Sequence, residues 1–165
     1  MKMIFDLDRD KCVACGACAV ACMDQNDIHP EAGEELFRTV GIVEPVSQGR
    51  ALGFLSLGCM HCADAPCIAA CPTGCLRKDG MGLTVYDNSL CIGCHSCSMA
   101  CPFGAPTFTP AGKMRKCDGC QVRQENGLEP ACVRICPTKA LTCRPEEEYV
   151  ADKRSASMRR ALSRD

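Results

Sequence analysis

Apolar residues in this chain occur in short stretches separated by Gly, Pro, Asp and Ser, which indicates short elements joined by many turns. Alternation of apolar and polar positions predicts a strand at Leu83–Tyr86. It also predicts a hairpin, in which Arg38–Val43 and Leu52–Leu57 flank the glycine-rich segment Gln48–Gly53. Short helices are predicted at four further segments, three of which end at a Cys-Pro pair. These segments are Ala19–Asp24, Pro66–Ala70, Ser96–Ala100 and Ala131–Ile135.

Two polar segments lie outside this pattern. Residues Gln121–Pro130 predict an exposed loop, which is either simply solvated or a docking surface for a partner. The tail from Pro145 begins with Glu146–Glu148 and carries its basic residues later, an order that suits the dipole of a helix. We expect a helix here that is either solvated and frayed or ordered on a partner subunit.

Composition changes this picture, because 18 of the 165 residues are Cys, whereas aromatic residues make up only 4% and Trp is absent. A chain of this length with so few aromatic residues has a small apolar core, and it needs further stabilisation from disulfides, zinc or iron-sulfur clusters. The amino terminus has Asp6 and Asp8 and no apolar stretch of signal-peptide length, which favours a cytoplasmic chain, where structural disulfides are rare. We expect no direct membrane insertion, and the formal net charge of −1 gives no reason to expect nucleic acid as a partner.

The cysteines form four motifs that repeat one spacing. The first and third motifs are C-x2-C-x2-C-x3-C, and the second and fourth lengthen the middle gap to four and eleven residues. A Pro follows the last Cys of every motif except the first, where Met23 stands. The motifs consist of Cys12, Cys15, Cys18 and Cys22; of Cys59, Cys62, Cys67 and Cys71; of Cys91, Cys94, Cys97 and Cys101; and of Cys117, Cys120, Cys132 and Cys136.

This spacing is typical of bacterial ferredoxins, in which three closely spaced thiolates bind one 4Fe-4S cluster and the fourth ligates the other cluster of a pair. Zinc sites instead use two C-x2-C pairs a dozen or more residues apart, and only the fourth motif, with its gap from Cys120 to Cys132, would suit one. The ligand spacings of Rieske and radical-SAM clusters are missing. Since every cluster would have four thiolates, no iron is left open for a substrate, which indicates electron transfer rather than catalysis.

The order of the motifs, the C-M-H-C-A-D-A-P-C run at Cys59–Cys67 and the eleven-residue gap resemble the iron-sulfur subunits of molybdenum and tungsten bis-pterin oxidoreductases. This family includes the small subunits of dimethyl sulfoxide reductase and formate dehydrogenase, the electron-transfer subunits tied to formate hydrogenlyase, and the polyferredoxin subunit of tungsten aldehyde oxidoreductase. The resemblance spans Cys12–Cys143 and implies a non-catalytic subunit with four 4Fe-4S clusters. Its partners would be a large Mo/W-pterin catalytic subunit and a further redox subunit, such as a flavin, hydrogenase or membrane-anchor subunit.

The resemblance also implies the ligand sets, because in such subunits the first motif pairs with the fourth and the second with the third. The implied fold is α+β, with two interleaved ferredoxin-like modules: an outer one from residues 1–58 and 102–145, an inner one from 59–101, and a charged tail at 146–165. Set 1 is Cys12, Cys15, Cys18 and Cys136; set 2 is Cys117, Cys120, Cys132 and Cys22; set 3 is Cys59, Cys62, Cys67 and Cys101; set 4 is Cys91, Cys94, Cys97 and Cys71.

Cys75 and Cys143 fall outside the four sets and are either buried as small hydrophobes or have a special redox role. His61 and His95 lie between cluster ligands, where they either donate an N–H to a cluster sulfur or are partly exposed loop histidines. Sixteen thiolates and four oxidised cores would bring the net charge to about −9. Basic residues near the outer motifs either offset this charge or serve solubility. They include Lys113, Arg115, Lys116, Arg134 and Lys139.

The motifs therefore predict a subunit that relays electrons between a Mo/W-pterin site, acting on formate, aldehyde or S/N-oxide substrates, and another redox subunit or acceptor. A free soluble polyferredoxin carrier fits the same motifs equally well. A zinc-stabilised interaction module is the remote alternative.

Overall fold

In a computed structural model that describes residues 1–43 and 53–162, helices and short strands are interspersed along the chain. This mixture confirms the α+β class predicted from the sequence. The helices are α1 Ala17–Gln25, α2 Pro66–Ala69, α3 Ser96–Ala100, α4 Gln121–Glu125, α5 Ala131–Arg134 and α6 Glu146–Leu162. The strands are β1 Met3–Leu7, β2 Arg38–Val43, β3 Gly53–Gly58, β4 Leu76–Lys78, β5 Thr84–Tyr86, β6 Thr107–Phe108, β7 Met114–Arg115 and β8 Leu141–Pro145.

All four predicted motif helices are present as α1, α2, α3 and α5, and their ends differ from the predicted ends by at most two residues. The helix predicted in the tail is also confirmed, and α6 contains no buried residue. In the part of the chain that the structure describes, no helix is both long and apolar enough to cross a membrane.

The prediction of a loop at Gln121–Pro130 is wrong in its first half, which forms α4. Two side-chain contacts stabilise this turn of helix. The Gln121 amide donates to the Glu125 carboxylate over 2.8 Å, and Arg123 Nε donates to the carbonyl oxygen of Glu129 over 2.8 Å. Residues 126–129 are exposed, as predicted, whereas Pro130 at the end of the segment is buried.

Antiparallel pairs make up the sheets. Strand β1 pairs with β8, from Met3 opposite Pro145 to Leu7 opposite Leu141, so the two ends of the chain meet in one sheet. Strands β2 and β3 form the predicted hairpin, although its connecting segment at residues 44–52 lies outside the described residues. Strand β5 corresponds to the predicted strand and pairs with β4, while β6 pairs with β7.

Buried apolar residues form small groups rather than one large core, and each group includes motif cysteines. The largest group packs Phe5, Leu83 and Leu141 around Cys12 and Cys132. A second group contains Cys67, Cys91 and Cys97, and a third contains Cys22. The thin core expected from composition is thus spread around the cysteines.

Candidate cluster-binding sites

The four C-x2-C loops share one backbone feature. In each loop the residue just before the second Cys adopts a positive φ, which is uncommon for residues other than Gly. Left-handed residues within such turns aim successive backbone N–H groups at the inside of the loop, where they favour a bound anion. The four residues are Ala14, His61, Gly93 and Gly119, with φ of 50°, 46°, 71° and 78°.

Set 1 lines a single open cavity of about 330 Å³, although its members come from opposite ends of the chain. Cys12, Cys18 and Cys136 are buried there, and Cys15 is exposed. The Cys18 Sγ lies 3.2 Å from the hydroxyl oxygen of Ser56 in β3. Four thiols around one cavity match the donor set of a 4Fe-4S cluster.

Sets 3 and 4 each line a cavity of their own. All four cysteines of set 3 surround about 340 Å³, and all four of set 4 surround about 300 Å³. Backbone N–H groups reach two of these sulfurs: Ala105 donates to Cys101 Sγ and Met114 donates to Cys91 Sγ, both over 3.4 Å. Across residues 1–43 and 53–162, no three His, Cys, Asp or Glu side chains are grouped so as to hold a single metal ion.

Cys22 lies in α1 and Cys132 in α5, and these helices pack against each other, while Cys117 and Cys120 lie in the loop that leads to α4. Burial raises the pKa of Cys22 to about 12, and the charge of neighbouring Cys132 adds to this effect. Burial also raises the pKa of Cys117 well above its ordinary value. Buried thiols this close cannot all ionise without a compensating cation, and an iron-sulfur core supplies that positive charge. The donor chemistry of set 2 therefore fits a cluster.

The last cysteines of the second and fourth motifs share a local environment. Thr73 Oγ1 lies 3.6 Å from Cys71 Sγ, and Thr138 Oγ1 lies 3.7 Å from Cys136 Sγ. Burial raises the pKa of Cys71, but the backbone N–H of Leu76 and the Thr73 hydroxyl outweigh it and lower the pKa to about 7. The same balance of burial and hydrogen bonds lowers the pKa of Cys136. Both positions favour the thiolate that binds metal.

Two basic side chains are buried among the sets. Arg38 is 5% exposed and donates from Nη1 to Ser56 Oγ over 3.0 Å, which places its guanidinium beside sets 1 and 2. Burial lowers the pKa of Arg38, but the charges of Cys132 and nearby thiols raise it above its ordinary value overall. Lys116 is 1% exposed and contacts Cys59. The sequence does not indicate that Arg38 is buried beside the cysteines, because a lone Arg at the start of an apolar strand predicts a surface position.

The two motif histidines have different surroundings. His61 is 5% exposed, and its Nδ1 accepts the backbone N–H of Thr84 over 3.0 Å. Its Nε2 lies 3.6 Å from Cys117 Sγ, which belongs to set 2 rather than to the set 3 loop that contains His61. Burial, and next the positive charge of Lys116, lowers the pKa of His61 well below its ordinary value. His95 is exposed at the set 4 cavity and stacks on Phe108, with ring centroids 3.7 Å apart.

The two cysteines outside the sets are at least partly buried. Cys75 is buried beside Cys91, and burial raises its pKa. Cys143 lies in β8, where burial and then the charge of Cys132 raise its pKa to about 12. Its Sγ lies 3.7 Å from the amide oxygen of Gln124. Burial therefore favours the thiol form of both side chains, as in inert buried cysteines.

Comparison with known proteins shows that the chain is similar to one family of iron-sulfur proteins. A family model described as a 4Fe-4S dicluster domain matches residues 51–145. The probable anaerobic dimethyl sulfoxide reductase chain YnfG of Escherichia coli K12 is 39% identical over 154 residues, which cover 87% of this chain and 74% of the relative. The thiosulfate reductase electron transfer subunit PhsB of Salmonella typhi is 41% identical over 139 residues, which cover 81% and 71%. The formate dehydrogenase iron-sulfur subunit of Wolinella succinogenes is 35% identical over 164 residues, which cover 85% and 80%.

Proposed function

The chain belongs to the 4Fe-4S dicluster domain family, and on this basis we propose that it is the electron-transfer subunit of an oxidoreductase complex. It holds four 4Fe-4S clusters and relays electrons between a Mo/W-pterin catalytic subunit and another redox subunit or acceptor. Each cluster, when bound, takes up and releases a single electron. The relatives support this role, since PhsB is an electron transfer subunit and the Wolinella protein is an iron-sulfur subunit.

One observation carries the proposal: three separate cavities, each lined by the four cysteines of one set. We propose sets 1 to 4 as the ligands of the four clusters. Crossed pairing of the motifs is supported by the helices, because α1 of the first motif packs on α5 of the fourth, and α2 of the second packs on α3 of the third.

Two interleaved modules follow from the same pairing. The outer module would use residues 1–58 and 102–145, closed by the β1–β8 sheet that joins both ends of the chain. The inner module would use residues 59–101, with the tail at 146–165 outside both. The β6–β7 hairpin is an exception to these boundaries, since Phe108 and Met114 pack in one group with Cys91 and Cys97 of set 4. It would serve the inner module.

In this function the protein binds the clusters, shields most of their ligands from solvent and leaves two of the ligands at the surface. Most set members are buried or half-buried, but Cys15 of set 1 and Cys94 of set 4 are exposed. Apolar side chains stand exposed beside them, with Val13 at 55% and Ile92 at 67%. The exposed ligands Cys15 and Cys94 lie at the surface, and we propose the loops of sets 1 and 4 as the two points of electron exchange with partners.

Anaerobic purification of the chain from the cells that produce it naturally tests the proposal against a free carrier. We expect a pterin-containing subunit to co-purify with the chain, and its substrate to reduce, or its product to oxidise, the chain's clusters. Purification of the chain alone, with clusters that exchange electrons only with diffusing carriers, would instead support a polyferredoxin.

A further inference from the structure

The loops of sets 2 and 3 contact each other reciprocally. His61 belongs to the set 3 loop, yet its Nε2 lies 3.6 Å from Cys117 Sγ of set 2. Lys116 immediately precedes Cys117, yet its Nζ lies 3.8 Å from Cys59 Sγ of set 3. Each loop therefore places a nitrogen donor against a sulfur of the other loop.

The hydrogen bonds of His61 determine which ring nitrogen carries its proton. Nδ1 accepts the Thr84 backbone N–H over 3.0 Å, so the proton of the neutral ring is on Nε2, which faces Cys117 Sγ. Phe5 stacks on the same ring with centroids 5.2 Å apart and fixes its orientation. The contact is therefore an N–H donated to sulfur.

Lys116 uses the full donor capacity of an ammonium group. Nζ donates to the carbonyl oxygens of Thr84 and Cys117 and to Cys59 Sγ, which accounts for all three N–H bonds. The side chain is 1% exposed and also lies 6.0 Å from the ring centroid of Tyr86. Because its burial limits screening by solvent, its charge acts on both neighbouring sets.

We infer that Lys116 and His61 are positioning residues that raise the reduction potentials of the clusters held by sets 2 and 3. This inference rests on the proposed function. Reduction adds a negative charge to a cluster, so a fixed cation and an N–H donor at its sulfurs favour the reduced state. Lys116 acts on both clusters because it stands between them, whereas His61 acts on set 2.

Lys113 offers a matched comparison. Its Nζ donates to the carbonyl oxygen of Cys91, so this lysine is tied to set 4. A change at Lys113 removes the same charge from the same chain without touching the contact between sets 2 and 3. Lys116→Arg provides the second comparison, because it keeps the charge.

The experiment is a potentiometric titration of the anaerobic holoprotein followed by electron paramagnetic resonance, with iron counted in each sample. Signals are assigned by their loss in Cys120→Ala and Cys62→Ala. In Lys116→Gln we expect the ratio of reduced to oxidised cluster in sets 2 and 3, measured at a fixed potential, to fall about tenfold. This fall is equivalent to a decrease of about 59 mV in the reduction potential of each cluster. The clusters of sets 1 and 4 keep their reduction potentials in this variant. In Lys116→Arg all four clusters keep the wild-type potentials, and in Lys113→Gln the potentials of sets 2 and 3 are unchanged.

Unchanged potentials in Lys116→Gln, with full iron content, would overturn the inference and leave the proposed function intact. A wild-type protein without four clusters would instead overturn the proposed function. If Lys116→Gln loses iron, the His61→Asn variant tests the inference in its place. Asn tolerates the positive φ at this position but is too short to reach Cys117. We expect His61→Asn to lower the potential of set 2 alone, and an unchanged value there would refute the inference.

Discussion

Cys12 and Cys136 line the same cavity, although one lies near the start of the chain and the other near its end. The β1–β8 sheet and the packing of α1 on α5 bring them together. This contact between distant segments is the basis of the crossed ligand pairing that we propose.

Cys136→Ala should therefore remove the set 1 cluster, because the substitution takes away its fourth thiolate ligand. We expect about four fewer iron atoms per chain and the same spectroscopic loss as in Cys15→Ala. Cys143→Ala, in a Cys outside every set, is the control and should keep all of the iron. A spectrum that matched Cys132→Ala instead would mean that Cys136 serves set 2 and that the pairing is uncrossed.

Arg38→Met should destabilise sets 1 and 2 together, because the buried guanidinium lies among thiolates of both. Removing one partner of a buried charge pair costs about 3–5 kcal/mol. We expect a lower melting temperature and faster iron release to a chelator. Arg159→Met, on the exposed surface of α6, is the control and should change stability by less than about 0.5 kcal/mol. Equal melting temperatures for the two variants would contradict the role of Arg38.

Gly93→Ala should weaken the set 4 loop. Gly93 has a φ of 71°, and a Cβ there would lie 2.6 Å from the carbonyl oxygen of Gly112. The left-handed backbone alone costs a residue with a side chain about 1–2 kcal/mol, and the contact adds to it. Gly80→Ala is the matched control, since a Cβ at Gly80 meets no atom within 4 Å. Calorimetric melting of both holoproteins measures the difference, and a Gly93 variant as stable as the Gly80 variant would refute this prediction.

Removal of the iron should unfold most of the chain. The buried apolar groups are small and are built around the cysteines, so without clusters the buried thiols leave cavities that little else can fill. We expect the chelated, reduced protein to lose its cooperative melting transition and most backbone amide protection, including that of the β1–β8 sheet. Native-like amide protection in the iron-free protein would contradict this prediction.

The sequence predicted the features that depend on local spacing. The motif helices and the β2–β3 hairpin are confirmed because Cys-Pro pairs and alternating residues act over a few positions. The match to the 4Fe-4S dicluster domain confirms the family resemblance that the motif order indicated. Features that depend on long-range packing were not predicted: the β1–β8 sheet, burial of Arg38, and the contact of His61 with a sulfur of another motif. Nothing in the residues adjacent to Arg38 or His61 indicates these partners.

The central claim is that the chain holds four 4Fe-4S clusters, and the most direct test counts iron and acid-labile sulfide in anaerobically purified wild-type protein. We predict about sixteen iron atoms and about sixteen sulfides per chain, in a brown protein whose absorbance bleaches on reduction. About eight iron atoms, or a colourless protein that contains mainly zinc, would contradict the claim.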